Sequence, residues 1–196
     1  MPYEGSDQEV SSVSPVSIKI LIAGGFGAGK TTMVTSVSEI KPLRTEEHLT
    51  ASSVHVDDLA GIEDKTTTTV ALDFGRITLN PDLVLYLFGT PGQQRFWFMW
   101  NDLAVGAIGG VVLVDTRRLD VSFAAVDFFE KREIPFVVAV NCFYGIQRYS
   151  PEQIRTALVL RPEVHVSMFD ARDRKSCRDV LLALLDHVIA TVSAPA

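Results

Sequence analysis

No run of apolar residues in this chain of 196 is long enough to cross a bilayer. Residues 1–15 are rich in Ser, Pro and acid, lack the basic start and apolar middle of a secretory leader, and read as a disordered tail. Met1-Pro2 excludes N-myristoylation and Ser193-Ala194-Pro195-Ala196 is not a prenylation box, so any recruitment to a membrane would have to come through a partner. Basic charge is short as well: the net charge is −6, which offers no field for nucleic acid. Cysteine is scarce. Cys142 and Cys177 lie far apart, match no metal-ligand spacing and read as reduced thiols of a cytosolic protein. No internal repeat, low-complexity block or second domain boundary is evident, so residues 16–192 read as one domain. With 47% hydrophobic residues, that domain can bury a sizeable core.

What the chain does have is glycine concentrated in one place. Gly24-Gly25-Phe26-Gly27-Ala28-Gly29-Lys30-Thr31 fits G-x-x-x-x-G-K-[ST], the phosphate-binding P-loop. The context fits too: Val16 to Ala23 alternates and is β-branched, as a strand should be, and Thr31 to Val37 can carry a helix onward. In such a loop successive backbone N–H groups face one concavity at a helix N-terminus, where partial positive charge favours phosphate. Lys30 would reach the β- and γ-phosphates, and the Thr31 hydroxyl would ligate Mg²⁺. A purely structural turn has no use for Lys followed by Thr at that spacing. The chain is therefore expected to bind a nucleoside phosphate.

Beyond the P-loop helix, Lys41 to Lys65 is polar and long for a structureless loop, which suggests a functional or mobile segment. Thr69 to Leu79 and Leu83 to Phe88 read as strands joined by a tight turn at Asn80-Pro81-Asp82. Ala107 to Val114 and Ile134 to Val140 are continuously apolar, as buried parallel strands are. Val121 to Arg132 has a helical pattern, and Pro151 to Leu158 is a helix with Ser150 as N-cap. Val164 to Val166 is a short last strand. Val180, Leu181, Leu184, Leu185 and Val188 recur at helical spacing and are assigned to the core. This order predicts an α/β P-loop fold with a six-stranded, mostly parallel sheet, one antiparallel hairpin strand and helices on both faces.

In open α/β sheets the ligand sits beyond the carboxyl ends of the strands. Four such ends carry residues whose order resembles the Ras-like small GTPases, over about residues 16–190. At the first, Thr69-Val70-Ala71-Leu72-Asp73-Phe74 resembles the switch I pattern Thr-x-x-x-Asp-Phe, in which a threonine closes over Mg²⁺ and the γ-phosphate. Thr69 is the residue so assigned, with Thr68 its rival in the run Thr66 to Thr69; a threonine run also simply favours a strand edge. At the second, Gly89-Thr90-Pro91-Gly92-Gln93 resembles the switch II pattern Asp-x-x-Gly-Gln. That implies a Gly92 amide on the γ-phosphate and Gln93 orienting water; the other reading is a plain Thr-Pro-Gly turn. Gly89 stands where the Mg²⁺-linked aspartate belongs, which implies weak Mg²⁺ dependence or a helper protein. Asp73, on the paired strand, is the compensation that the hairpin offers.

Gly-Thr-Pro-Gly-Gln resembles the bacterial branch near the gliding-motility GTPase MglA, and most of all the small ATP/GTP-binding proteins of actinomycete conservon operons. The resemblance implies a roadblock-type regulator and a sensor-kinase-like membrane protein as partners. At the third end, Asn141-Cys142-Phe143-Tyr144 occupies the place of Asn-Lys-x-Asp, with Tyr144 where a guanine-reading aspartate belongs. The fourth, Val166 to Arg172, stands where a Ser-Ala-Lys-like loop meets the base, although a plain loop reads as well.

Arg95, Arg117 and Arg118 could each supply an arginine finger, though solvated loop arginines are the expectation for all three. Phe96, Trp97, Phe98 and Trp100 form either an exposed partner surface or core. The leading expectation is a GTP/GDP switch with slow hydrolysis. Gly25, Gly27, Ala28, Gly29, Lys30, Thr31, Thr32, Gly92 and Asn141 would bind nucleotide, Thr31 and Thr69 Mg²⁺, and Gln93 and Lys30 would act in catalysis. The alternatives are a nucleotide-loaded scaffold that does not turn over, and a phosphotransferase. The last needs an arginine-rich lid, and Phe143 to Glu163 offers only the scattered Arg148, Arg155 and Arg161.

Overall fold

The computed structural model describes residues 14–41, 43–49, 68–93 and 96–193, with the backbone alone for 43–49 and 68–71. The expected tail, residues 1–15, falls almost wholly outside the described residues. Among the described residues seven strands form one sheet: β1 Val16–Gly24, β2 Leu43–Leu49, β3 Thr68–Asn80, β4 Leu83–Gly89, β5 Ala107–Val114, β6 Phe136–Asn141 and β7 Val166–Phe169. Their spatial order is β2-β3-β4-β1-β5-β6-β7, and β3 alone runs against the rest. The six anticipated strands are all present. The seventh, β2, lies in the polar stretch read as a loop; its backbone pairs with β3 from Leu43 opposite Phe74 to Leu49 opposite Thr68. An edge strand of mostly charged and polar residues gives no apolar alternation from which to predict it.

Helices cover both faces. β1 alternates between them, Ile20 and Ile22 to one side and Leu21 and Ala23 to the other, all fully buried. On the first side pack α1 (Lys30–Val37) and α5 (Arg174–Ser193), through Met33, Val34, Val180, Leu181 and Leu184. The second side holds α2 (Met99–Ala104), α3 (Phe123–Lys131) and α4 (Pro151–Ala157), through Trp100, Phe129 and Ile154. Each such side chain contributes about 1.5–3 kcal/mol on leaving water, which is why β5 and β6 read as unbroken apolar runs. α4 begins as expected, with a Ser150–Gln153 capping box and Pro151 at its first turn.

Three boundaries move. The strand read from Ile134 starts at Phe136. The helix predicted from Val121 begins at Phe123, because Thr116–Ser122 is a 3-10 segment capped by Asp115 and kinked at Arg118 (φ −145°, ψ 61°). The last strand starts at Val166, while Val164 is buried in the turn before it. Among the described residues no helix is long and apolar enough to cross a membrane. The sheet order turns at β1: the chain goes from β1 to the far edge at β2, returns inward through β3 to β4, and then crosses β1 to β5. The crevice of such a sheet opens where β1 ends, and the glycine loop is there.

Candidate functional site

The loop from Gly24 to Gly29 ends on the first turn of α1. Gly29 holds φ 110°, the left-handed region that suits glycine, and caps the helix without a side chain. Lys30 curls back under the loop, its Nζ donating to the carbonyl oxygens of Gly24 and Gly25 at 2.8 Å each. Burial pushes the Lys30 ammonium down to about 8, with the Asp73 carboxylate pulling the other way. An ammonium in that state gains from an arriving anion, as a phosphate is. Thr32 is exposed on the first turn of α1.

Beside the lysine stands a carboxylate pair of positions that compete for one space. Thr31 Oγ1 donates to Asp73 Oδ2 at 2.6 Å, and Asp73 is buried. Asp73 lies opposite Gly89 in the β3–β4 ladder. A Cβ at residue 89 would stand 2.9 Å from Asp73 Cβ and 3.2 Å from its Oδ2. The acid therefore comes from β3, and glycine at the end of β4 leaves room for it. Among the described residues no three His, Cys, Asp or Glu cluster as a self-sufficient metal site. A hydroxyl and a carboxylate at hydrogen-bond distance are nonetheless oxygen donors of the kind Mg²⁺ takes alongside phosphate oxygens.

Gly92 approaches the loop as closely as any residue can. A Cβ there would fall 2.6 Å from Lys30 Nζ and 2.8 Å from the Phe26 nitrogen, so two polar nitrogens lie directly against Gly92. The Thr90 N–H extends the sheet to the Ile22 carbonyl at 2.9 Å, and Trp100 Nε1 donates to the Pro91 carbonyl at 3.0 Å. These bonds fix the segment up to Gly92. Gln93 follows, exposed, its carbonyl accepting from the Phe96 N–H at 3.0 Å. The aromatics divide as neither reading foresaw alone: Phe96 and Trp100 are buried, Trp97 is partly so, and Phe98 is 59% exposed.

Asn141 is buried and uses both ends of its amide. Nδ2 donates to the Ala28 carbonyl at 3.0 Å, and Oδ1 accepts from the Ala171 N–H at 3.2 Å. It braces the glycine loop against the loop between β7 and α5. Beyond it, Tyr144 takes a left-handed φ of 59° and stands 78% exposed, with the Arg172 guanidinium 4.9 Å from its ring centre. The acid nearby, Asp170, is taken by Arg172, whose hydrogen bonds hold its carboxyl down to about 2. Cys142 and Cys177 are free thiols, and burial pushes Cys177 up to about 12.

The three arginines part company. Arg117 is committed to Asp115 through bonds of 2.8 and 2.7 Å and stacks 4.1 Å over Phe143. Arg95 lies outside the described residues. Arg118 is exposed as expected, and it also reaches the glycine loop, donating from Nη2 to the Phe26 carbonyl. No local pattern announces that contact; it depends on the kink before α3. Thr69 lies on β3 opposite His48, about 13 Å along the strand from Asp73 at ~3.3 Å per residue, and its side chain is outside the described residues. Thus Lys30, Thr31, Gly92 and Asn141 are gathered around the loop, and Thr69 is not among them.

A family model described as conserved hypothetical ATP binding protein matches residues 22–191. The chain belongs to that family. An uncharacterized protein of Methanocaldococcus jannaschii is 26% identical over 126 residues, 63% of this chain and 69% of that protein. Among solved structures, the Arl6 BBS3 small GTPase of Trypanosoma brucei, with bound nucleotide analogue GppNp, matches with a TM-score of 0.62 at 13% identity, covering 89% of this chain and 99% of its own. The FeoB G-domain of Methanococcus jannaschii matches with a TM-score of 0.56 at 16% identity, covering 88% and 98%. At such identities the likeness is one of fold. This member of the ATP-binding family has the G-domain fold of a nucleotide-binding P-loop protein.

Proposed function

We propose that the chain is a small GTP-binding switch with slow hydrolysis, acting in bacterial signalling. The close approach of Gly92 to Lys30 Nζ and the Phe26 nitrogen carries this reading. A γ-phosphate at that point is held by Lys30, the loop amides of Gly25, Gly27, Ala28 and Gly29, and the Gly92 amide, while Thr31 and Thr32 at the helix N-terminus face the inner phosphates. Thr31 and Asp73 would hold Mg²⁺, with Thr69 added when its strand end closes, and the ion would neutralise phosphate charge. Gln93 orients the attacking water. Loss of the γ-phosphate frees Gly92 and the Thr69 end, and partner affinity changes with them. The Gly-Thr-Pro-Gly-Gln segment supports a place in the MglA-like branch near the conservon proteins. Recruitment to a membrane, a roadblock-type regulator and a sensor-kinase-like partner follow from that place.

A second reading keeps the binding and drops both turnover and guanine selectivity. Tyr144 under Arg172, and Asp170 tied to the same arginine, favour it, since no free carboxylate among the described residues there reads guanine. The deciding experiment titrates the nucleotide-free protein with fluorescent GDP, competes with GTP and ATP with and without Mg²⁺, and follows phosphate release from Gln93→Ala. Competition by guanine nucleotides alone, with hydrolysis abolished by the substitution, is the result expected of the switch. Equal competition by ATP removes the guanine assignment, and turnover unaffected by the substitution removes the role of Gln93.

A further inference from the structure

We propose that Arg118 is an arginine finger supplied in cis, from the segment between β5 and α3, to the γ-phosphate end of the glycine loop. This rests on the nucleotide-binding reading above. Arg118 donates to the Phe26 carbonyl, and a Cβ on Gly27 would come within 3.3 Å of its Nη2. Phe26 is the residue whose backbone nitrogen lies with Lys30 Nζ against Gly92, so the guanidinium sits close to the expected γ-phosphate. The placement is built by the fold. Asp115 caps the 3-10 segment and binds Arg117, the backbone kinks at Arg118, and Val121 packs so tightly on the loop that a Cβ on Gly25 would lie 2.5 Å from its Cγ2.

Arg118 has donors to spare. A guanidinium carries five N–H groups, and among the described residues this one makes no ion pair with a carboxylate. Phosphate oxygens can take two of these donors in parallel as a bidentate pair, which a single carbonyl oxygen does not offer. A cavity of about 80 Å³ bordered by Phe26, Gly92, Trp97 and Arg118 is roomy enough for water at the same place. In the step served, a water oxygen bonds to the γ-phosphorus while the bond from that phosphorus to the β–γ bridging oxygen breaks. The electron pair stays on the bridging oxygen, the water's proton passes to the phosphate, and the products are nucleoside diphosphate and inorganic phosphate. Arg118 offsets the negative charge that grows on the bridging and γ oxygens.

The test compares the whole chain with Arg118→Ala and Arg118→Lys, using GTP and ATP in parallel with Mg²⁺. The readouts are diphosphate affinity, single-turnover phosphate release, and trapping of GDP or ADP with tetrafluoroaluminate. Arg178→Ala, on the far helix α5, controls for loss of a surface charge. Expected is a loss of release of roughly 10³-fold in Arg118→Ala, with diphosphate affinity within about tenfold of wild type. The lysine variant should recover only part of the rate, since an ammonium lacks the planar fork. Wild type should trap the fluoroaluminate complex without any added protein, and Arg118→Ala should not. Equal rates, or equal trapping, in wild type and Arg118→Ala overturn the inference and leave nucleotide binding intact. So does a wild type that binds nucleotide but neither hydrolyses nor traps. A wild type that binds neither GTP nor ATP overturns the nucleotide reading itself, and the finger with it.

Discussion

Moving one carboxylate across the β3–β4 ladder tests how this site differs from a switch II that carries its own aspartate. Gly89→Asp places a second acid against Asp73, whose Cβ is 2.9 Å from the new Cβ position. Two buried carboxylates about 4 Å apart repel by roughly 4 kcal/mol at an effective dielectric near 20. The single substitution should therefore destabilise the fold by several kcal/mol at pH 7. That loss should shrink in acid, as one proton comes to be shared. Asp73→Gly alone removes the charge-assisted bond from Thr31, a cost of about 1.5–3 kcal/mol, together with the Cβ that a side chain at 89 would meet. The double variant carries one acid again, now on β4, and should be far more stable than the two losses added together. Urea melts of all four proteins give the coupling, and nucleotide titrations with and without Mg²⁺ show whether the relocated acid restores metal dependence. Additive losses within about 0.5 kcal/mol would refute the claim that residues 73 and 89 compete for one carboxylate.

Lys30 gives a pH signature with a fixed sign. Its folded value of about 8 lies below the ordinary 10.5, so between these values the unfolded chain binds the extra proton and stability of the nucleotide-free protein rises with pH, by about 3 kcal/mol at ~1.36 kcal/mol per unit. Nucleotide affinity should fall over the same window, because phosphate favours the ammonium; Lys30→Met should flatten both profiles, and a flat wild-type profile refutes the buried lysine. Asn141→Ala should cost about 2–3 kcal/mol by orphaning the Ala28 carbonyl and Ala171 N–H, read by urea melts, and weaken nucleotide binding by loosening the loop. A loss under about 0.5 kcal/mol would remove its bracing role.

The parts legible in the sequence are those with a local cause. The glycine loop, the apolar runs of β5 and β6 and the Ser150 cap each follow from neighbours in the chain, and each is present, β6 starting two residues later than read. β2 was illegible because its charged edge carries no apolar period. Asn141 was read as a base-recognition residue by its place in a motif; what the motif did not announce is that its amide also braces two loops distant in sequence. Arg118 shows the same limit from the other side. A loop arginine is solvated by default, and only the kink before α3, which no residue pattern announces, brings it to the Phe26 carbonyl. Gly89 was legible as a departure, but its meaning needed register. Once β3 and β4 pair with Asp73 opposite residue 89, Asp73 is seen to reach Thr31 and to fill the space that a side chain at 89 would need. A missing motif residue in such a sheet is therefore evidence of lost metal chemistry only after the facing strand has been checked for the same group.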